Sequence, residues 1–149
     1  MKPIQIVKEC MAAIEARDFE RAAQCLTDDF QFIGGLPKPI GKQEWLGVHK
    51  ALRQAMPDFK FNLSNATEKE GKVNGQVRLT GTHKGTLTIP SLDLTVLATG
   101  KSVALPKEKI EAQIQTNKMK RLEVTPVEGG GLAGIVKQMG VTIPVPAMA

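Results

Sequence analysis

The spacing of the hydrophobic residues changes near Phe59 from the period of a helix to the period of a strand. Before that point, apolar side chains recur every three or four residues, as on one face of an amphipathic helix. After it, apolar and polar residues alternate, which is typical of strands with one buried face. Helices followed by mostly antiparallel strands predict an α+β domain, with the helices packed on one face of a curved sheet.

Three helices are predicted in the first part of the chain. The first covers about residues 3–16 and opens at Pro3, a residue suited to a first helical turn. Asp18 is a candidate N-cap for a short second helix over 19–26. The third covers about 42–56 and ends before a proline, because the residue before proline avoids the helical conformation. One stripe of this third helix carries Trp45, Val48, His49, Leu52 and Met56.

The second part of the chain predicts two antiparallel hairpins. Residues 59–64 and 73–80 alternate on either side of a glycine-containing turn at 70–72, and residues 110–124 repeat the pattern. Between the hairpins, segment 85–108 is apolar for a loop and is predicted to fold as a long hairpin or flap. Two interpretations stay open for it, a strand pair of the main sheet and a lid over a pocket.

Shorter elements complete the predicted domain. A strand is expected at 30–33, ended by two glycines, and a closing helix over 132–139, ended by Gly140. A length of 149 residues fits one domain. We therefore expect a domain over residues 1–140 and an extended tail over 141–149, which contains two prolines.

Composition argues against several functional classes. No run of about 18 apolar residues exists and the N-terminus lacks the pattern of a signal peptide, so we expect a cytoplasmic protein with no membrane partner. The net charge of +5 is spread thinly and aromatic residues are only 4%, which argues against nucleic-acid binding. Two histidines and two cysteines without metal-ligand spacing predict no metal site. Cys10 and Cys25 are expected to be small buried hydrophobic residues.

Three stretches of the chain resemble the SnoaL-like family of the NTF2-like fold. They are M-P-D-F at the end of 51–59, G-T-H-K-G at 81–85, and N-K-M at 117–119 followed by Q-M-G at 138–140, in the order of the family. The resemblance implies a cone-shaped barrel in which three N-terminal helices pack on a curved, mostly antiparallel sheet around an apolar pocket. It also implies a homodimer through the outer face of the sheet. Polar residues expected on that face are Arg78, Glu111, Gln113 and Gln115.

The resemblance also directs attention to an acidic residue near the last strand. Cyclases of the family use one, typically an Asp, as the acid and base of an intramolecular aldol closure. The W-x-x-x-D arrangement of the family is absent here, where Glu123 and Val127 fall near its two positions, and Glu128 is the nearest carboxylate. A carboxyl group in an apolar cavity has a raised pKa that suits proton abstraction beside a carbonyl. The alternative for Glu128 is a solvated residue near a helix N-terminus.

The other candidates are a histidine at a strand end and the residues of one predicted pocket wall. His83 is the second catalytic candidate, as a hydrogen-bond partner of a ligand carbonyl or of a carboxylate, and its alternative role is to fix the strand-to-loop geometry. Candidate ligand-binding residues are Trp45, His49, Phe32 and Leu52, with core packing as the alternative. The predicted function is binding of a small hydrophobic molecule, with cofactor-free cyclase or isomerase chemistry. The other prediction is a non-catalytic module that binds a ligand or a protein.

Overall fold

The computed structural model describes residues 2–36 and 38–141, and four helices form where helical spacing predicts them. They are α1 (Pro3–Glu15), α2 (Phe19–Gln24), α3 (Lys42–Ala55) and α4 (Gly131–Gln138). The Asp18 carboxylate accepts a hydrogen bond from the backbone N–H of Arg21 at 3.1 Å, which confirms the predicted N-cap of α2. Of the predicted tail, residues 142–149 lie outside the described residues.

Ten strands follow the helices or lie between them. They are β1 (Leu26–Ile33), β2 (Ile40–Gly41), β3 (Ser64–Lys69), β4 (Lys72–Val77), β5 (Thr80–Thr82), β6 (Leu87–Ile89), β7 (Leu94–Val96), β8 (Ser102–Ala104), β9 (Glu108–Gln115) and β10 (Lys118–Val124). Six of them form the main sheet in the order β2-β1-β10-β9-β4-β3. Only β1 and β10 run parallel within it. The chain therefore has the predicted α+β architecture, with a curved and mostly antiparallel sheet that does not close into a full barrel.

Three strands differ clearly from their predicted bounds. β4 ends at Val77 rather than at residue 80, because Thr80 begins β5 in another sheet. β1 begins at Leu26 rather than at residue 30, which is why α2 ends two residues early. The first hairpin begins at Ser64, although Phe59 and Phe61 before it are buried. Lys60 in this preceding stretch forms an isolated antiparallel bridge with Thr80. Phe59 and Phe61 on either side of it therefore face the core without belonging to a named strand.

Segment 85–108 folds as a hairpin outside the main sheet. β6 pairs with β7 across a 3₁₀ helix over Pro90–Leu92, and β8 pairs instead with β5. A hairpin is therefore confirmed over residues 87–96, and the alternative of a strand pair in the main sheet is wrong. Leu87 and Ile89 are buried and hold β6 against α3.

Two glycines end β1 where the chain passes close to the neighbouring strand. Gly34 has φ +118°, and a Cβ there would lie 2.1 Å from the carbonyl oxygen of Val124. No other residue type fits such a position without moving the backbone. The chain consequently turns away from the sheet at this point and opens a space between the sheet and α3.

Candidate functional site

A cavity lies between the sheet and the helices α1, α3 and α4. The volume open to the centres of water-sized molecules is about 100 Å³. One water needs roughly 10–15 Å³ on this measure, so the interior is hollow rather than filled. The lining residues are Met11, Phe32, Gly34, Gly35, Leu36, Ile40, Trp45, Val48, His49, Leu52, Phe61, Val77, Leu79, Glu108, Ile110, Leu122, Val124, Gly131, Leu132 and Ile135.

All four residues predicted to bind a ligand lie on this lining. Trp45, His49 and Leu52 come from the buried stripe of α3, and Phe32 comes from β1. Trp45 packs against Phe30 and Phe32, with ring centroids 5.2 and 6.2 Å apart. The helical spacing of the stripe therefore brings these side chains together, and their contact with a ligand stays a prediction.

His49 is held within an aromatic cluster. Its ring lies 4.6 Å from that of Trp45 in an edge-on arrangement, and Phe59 and Phe61 flank it at 5.9 and 5.3 Å. Nδ1 is buried without a hydrogen-bond partner among the described residues. Burial lowers the pKa of His49 from 6.5 to about 3, so the imidazole is neutral at physiological pH.

Glu108 is the one carboxylate on the cavity lining as the described residues form it. It begins β9, and its side chain is buried because it shares the inward face of the strand with Ile110 and Ala112. The backbone N–H of Gly131 donates to its Oε1 at 3.4 Å. Burial raises the pKa of the Glu108 carboxyl, and the hydrogen bond from Gly131 offsets this only in part.

The turn before α4 holds the Glu108 carboxyl in place. A Cβ at Gly130 would lie 2.9 Å from Cδ of Glu108, so the carboxyl occupies the space that a side chain would need. Glu108 was missed by the sequence analysis, although its signal was present. It falls at the alternate positions that carry Ile110, Ala112 and Ile114, and a carboxylate in that phase faces the core.

The two residues predicted to be catalytic are not on the cavity lining. Glu128 is exposed in the turn that precedes α4, because the backbone reverses at Gly129 (φ +81°) and brings Gly131 to the cavity instead. His83 is fully buried elsewhere. Its Nδ1 lies 2.9 Å from Oγ1 of Thr99.

The backbone of His83 ties the end of β5 to the start of β8. Its N–H donates to Lys101 and its carbonyl accepts from Gly100. This geometry matches the alternative of a residue that fixes the strand-to-loop connection. The structure thus corrects the expectation that Glu128 and His83 converge in one pocket, and a catalytic role for either residue stays a prediction.

The remaining predictions concern the surface and bound ions. Glu111, Gln113 and Gln115 are exposed on the outer face of β9, whereas Arg78 donates from Nε to the carbonyl of Leu105 at 3.2 Å. Across residues 2–36 and 38–141, no three His, Cys, Asp or Glu side chains come together as metal ligands would. Within the same ranges, no helix has both the length and the apolar character needed to cross a bilayer. Cys10 is buried as predicted, and Cys25 is half-buried.

Comparison with known proteins gives a family match over most of the chain. The model of the SnoaL-like domain matches residues 7–107. No curated protein sequence matches the chain.

Solved structures share the fold at low sequence identity. IdmH from Streptomyces antibioticus, a proposed polyketide cyclase, is 15% identical with a TM-score of 0.71, over 95% of this chain and 100% of that one. AclR from Streptomyces galilaeus, a proposed hydroxylase, is 16% identical with a TM-score of 0.72, over 97% and 84%. An LEH-like epoxide hydrolase from M. tuberculosis is 10% identical with a TM-score of 0.66, over 93% and 92%.

Proposed function

The chain belongs to the SnoaL-like domain family, and from that premise we propose that its cavity binds a small hydrophobic molecule and that Glu108 transfers protons to and from it. One observation carries the proposal. A lining that is otherwise almost entirely apolar contains one buried carboxyl group, Glu108, and one neutral imidazole, His49. An apolar cavity with a few convergent polar groups is the usual form of a small-molecule site.

The chemistry follows from the two protonation states. As a carboxylate, Glu108 removes a proton from the carbon beside a ligand carbonyl, and the electron pair moves to the carbonyl oxygen. A neutral His49 donates one ring N–H to the oxygen of the resulting enolate. This hydrogen bond stabilises the negative charge, and a neutral imidazole is too weak an acid to protonate the oxygen outright. Because burial raises the pKa of Glu108, its carboxylate is a stronger base than an exposed one, which favours removal of the ligand proton.

The fate of the enolate separates two reaction types. In a ring closure, its carbon attacks a second carbonyl of the same molecule, and Glu108 protonates the new alkoxide. In an isomerisation, Glu108 returns the proton to a different carbon. The name of IdmH as a proposed cyclase supports the first type, and neither reaction requires a cofactor. The epoxide hydrolase with the same fold shows that the fold alone does not decide the reaction.

The test compares two carboxylates in one assay. Wild type, Glu108→Gln and Glu128→Gln are incubated with 2-indanone in D₂O, and exchange of the protons beside the carbonyl is followed by NMR. We expect Glu108→Gln to lose at least about 100-fold of the catalysed rate, which is the usual scale of general acid–base catalysis. Glu128→Gln is the matched control and should exchange like wild type.

Each other outcome of this experiment has a definite meaning. Loss of exchange only in Glu128→Gln would overturn the role of Glu108 and restore the assignment made from the sequence. Binding of 2-indanone without exchange in wild type would support the second candidate function, a non-catalytic ligand-binding module. That candidate is favoured by the nearly apolar lining.

We also propose a homodimer through the outer face of the main sheet. The exposed residues of β9 on this face are polar, and Nζ of Lys72 lies 3.9 Å from Oε1 of Glu111. Sedimentation of wild type should give twice the mass of the chain, and Gln113→Arg should sediment as a monomer. A wild-type monomer would contradict the proposal. The cytoplasmic location stays a prediction from the sequence.

A further inference from the structure

A groove on the outside of the molecule adjoins the inner cavity. The volume open to the centres of water-sized molecules in it is about 170 Å³. Three half-buried side chains, Leu36, Ile40 and Val48, line both spaces. The interior cavity and the groove therefore meet at these three side chains.

The far side of the groove comes from the hairpin that follows β5. Ser91 and Leu92, in the 3₁₀ helix between β6 and β7, line it together with Lys38 and Glu44. Leu92 is half-buried, and the other three are exposed. The floor is thus apolar, while the rim carries one positive charge, one negative charge and one hydroxyl.

We propose that the groove is the outer half of one continuous binding site, and that its ligand is an elongated, uncharged, mainly apolar ketone. This inference rests on the proposed function, since the reactive carbonyl is placed at the inner end beside Glu108 and His49. Leu36, Ile40 and Val48 act as the constriction through which the ligand passes. Ser91 and Leu92 contact its distal part.

The size of the inner cavity supports a ligand in two parts. An apolar cavity of about 150 Å³ in another protein accommodates benzene, so a cavity of about 100 Å³ suits at most one ring-sized group. A longer molecule has to extend past the shared side chains. The groove offers it a further apolar surface at that exit.

The rim supports an uncharged ligand. Lys38 and Glu44 carry opposite charges on the same rim, so neither a carboxylate nor an ammonium group meets a field of one sign. The apolar floor favours hydrocarbon, because each methylene removed from water strengthens binding about fourfold.

The test uses a series of phenyl ketones and the fluorescence of Trp45. The chain contains one tryptophan and no tyrosine, so the intrinsic emission reports from the cavity wall alone. Acetophenone, butyrophenone and hexanophenone carry the same ring and carbonyl with two additional methylenes at each step. We expect affinity to rise about fourfold per methylene, or about 200-fold from first to last.

Two groove variants and one control assign this increase to the groove. Ser91→Phe fills the groove and Leu92→Asp places a charge in its floor. Both variants should bind acetophenone with the affinity of wild type. Their affinity for hexanophenone should exceed that for acetophenone by less than tenfold. Leu97→Asp changes an exposed leucine of the same region that lies outside the groove, and it should bind all three ketones like wild type.

The outcomes separate this inference from the proposed function. If acetophenone does not quench Trp45, the proposed binding function fails, and the inference fails with it. If acetophenone binds but the groove variants keep the full gain with chain length, only the inference is overturned. The same holds if Leu97→Asp loses the gain as the groove variants do.

Discussion

Replacement of His49 by phenylalanine should make the protein markedly more resistant to mild acid. The imidazole has a pKa of about 3 in the folded chain and 6.5 as its ordinary value, a difference of about three and a half pH units. Between these values the unfolded chain binds a proton that the folded chain does not. Stability from a neutral His49 is therefore complete above pH 6.5 and is lost as the pH falls towards 3.

The magnitude follows from the size of this difference. Each pH unit corresponds to about 1.4 kcal/mol, so wild type should lose about 3 kcal/mol through His49 between pH 6.5 and 4.5. The loss approaches about 5 kcal/mol near pH 3, a large part of the stability of an ordinary domain. In His49→Phe this part of the pH dependence disappears, whatever constant change in stability the larger ring introduces.

Urea unfolding followed by Trp45 emission at pH 7.5, 6.0, 5.0 and 4.5 measures the effect. Glu108 lines the same cavity and titrates in the opposite sense, so the comparison is made in a Glu108→Gln background. The free energy of unfolding should fall by about 3 kcal/mol with His49 and stay nearly flat with phenylalanine. Parallel curves for the two proteins would refute the account of a buried, neutral imidazole.

Three further predictions concern the buried carboxyl, the turn that holds it and the cysteines. Wild type should lose stability relative to Glu108→Gln as the pH rises from 4 to 8, because the raised pKa of Glu108 means that the stability of its protonated form is lost above the ordinary value of 4.5. Unfolding curves at pH 4 and 8 check the sign. Gly130→Ala should displace the Glu108 carboxyl, slow proton exchange of 2-indanone and lower the free energy of unfolding by about 1–3 kcal/mol. Gly47→Ala, whose added Cβ would have no atom within 4 Å, should not lower it. Equal losses of stability in the two variants would contradict this. A hydrogen bond from Cys10 lowers the pKa of Cys25 to about 7. Iodoacetamide at pH 7.5 should therefore label Cys25 and spare the buried Cys10, and mass spectrometry of the labelled native protein measures both.

Periodicity was sufficient for the helices and for most of the sheet. The stripe of α3 predicted that Trp45, His49 and Leu52 share one face, and that face lines the cavity. The bounds of β3 were not predictable in the same way. Phe59 and Phe61 alternate like a strand, but their segment pairs by a single bridge at Lys60, and local sequence does not report such long-range pairing.

The carboxylate on the cavity lining was not predicted, for a different reason. Glu128 was chosen because of its position along the chain, next to the last strand, whereas the cavity is formed by residues distant in sequence. The reversal at Gly129 leaves Glu128 exposed, and only the phase of β9 carries Glu108 inward. Residue parity within a strand was thus a better guide to the site than nearness to an expected motif position.

The distribution of unsatisfied polar groups distinguishes the cavity from the rest of the core. Among the described residues, His83 and Arg53 each have a buried nitrogen without a partner. Both residues use another nitrogen to hold the backbone or a neighbouring loop, since Arg53 donates to the carbonyl of Met56 and His83 contacts Thr99. Their incomplete hydrogen bonding therefore accompanies a structural role.

The two polar residues of the cavity are held less firmly by hydrogen bonds among the described residues. Within residues 2–36 and 38–141, Nδ1 of His49 is buried without a partner, and the hydrogen bond from Gly131 to Glu108 is long at 3.4 Å. Each unsatisfied buried group costs roughly 1–3 kcal/mol, and apolar residues of similar size would avoid that cost. Sites where a chain departs from the rules of core packing are commonly functional ones. Two such departures on the lining of one cavity are what a site needs if its polar groups are to form their remaining hydrogen bonds with a ligand rather than within the fold.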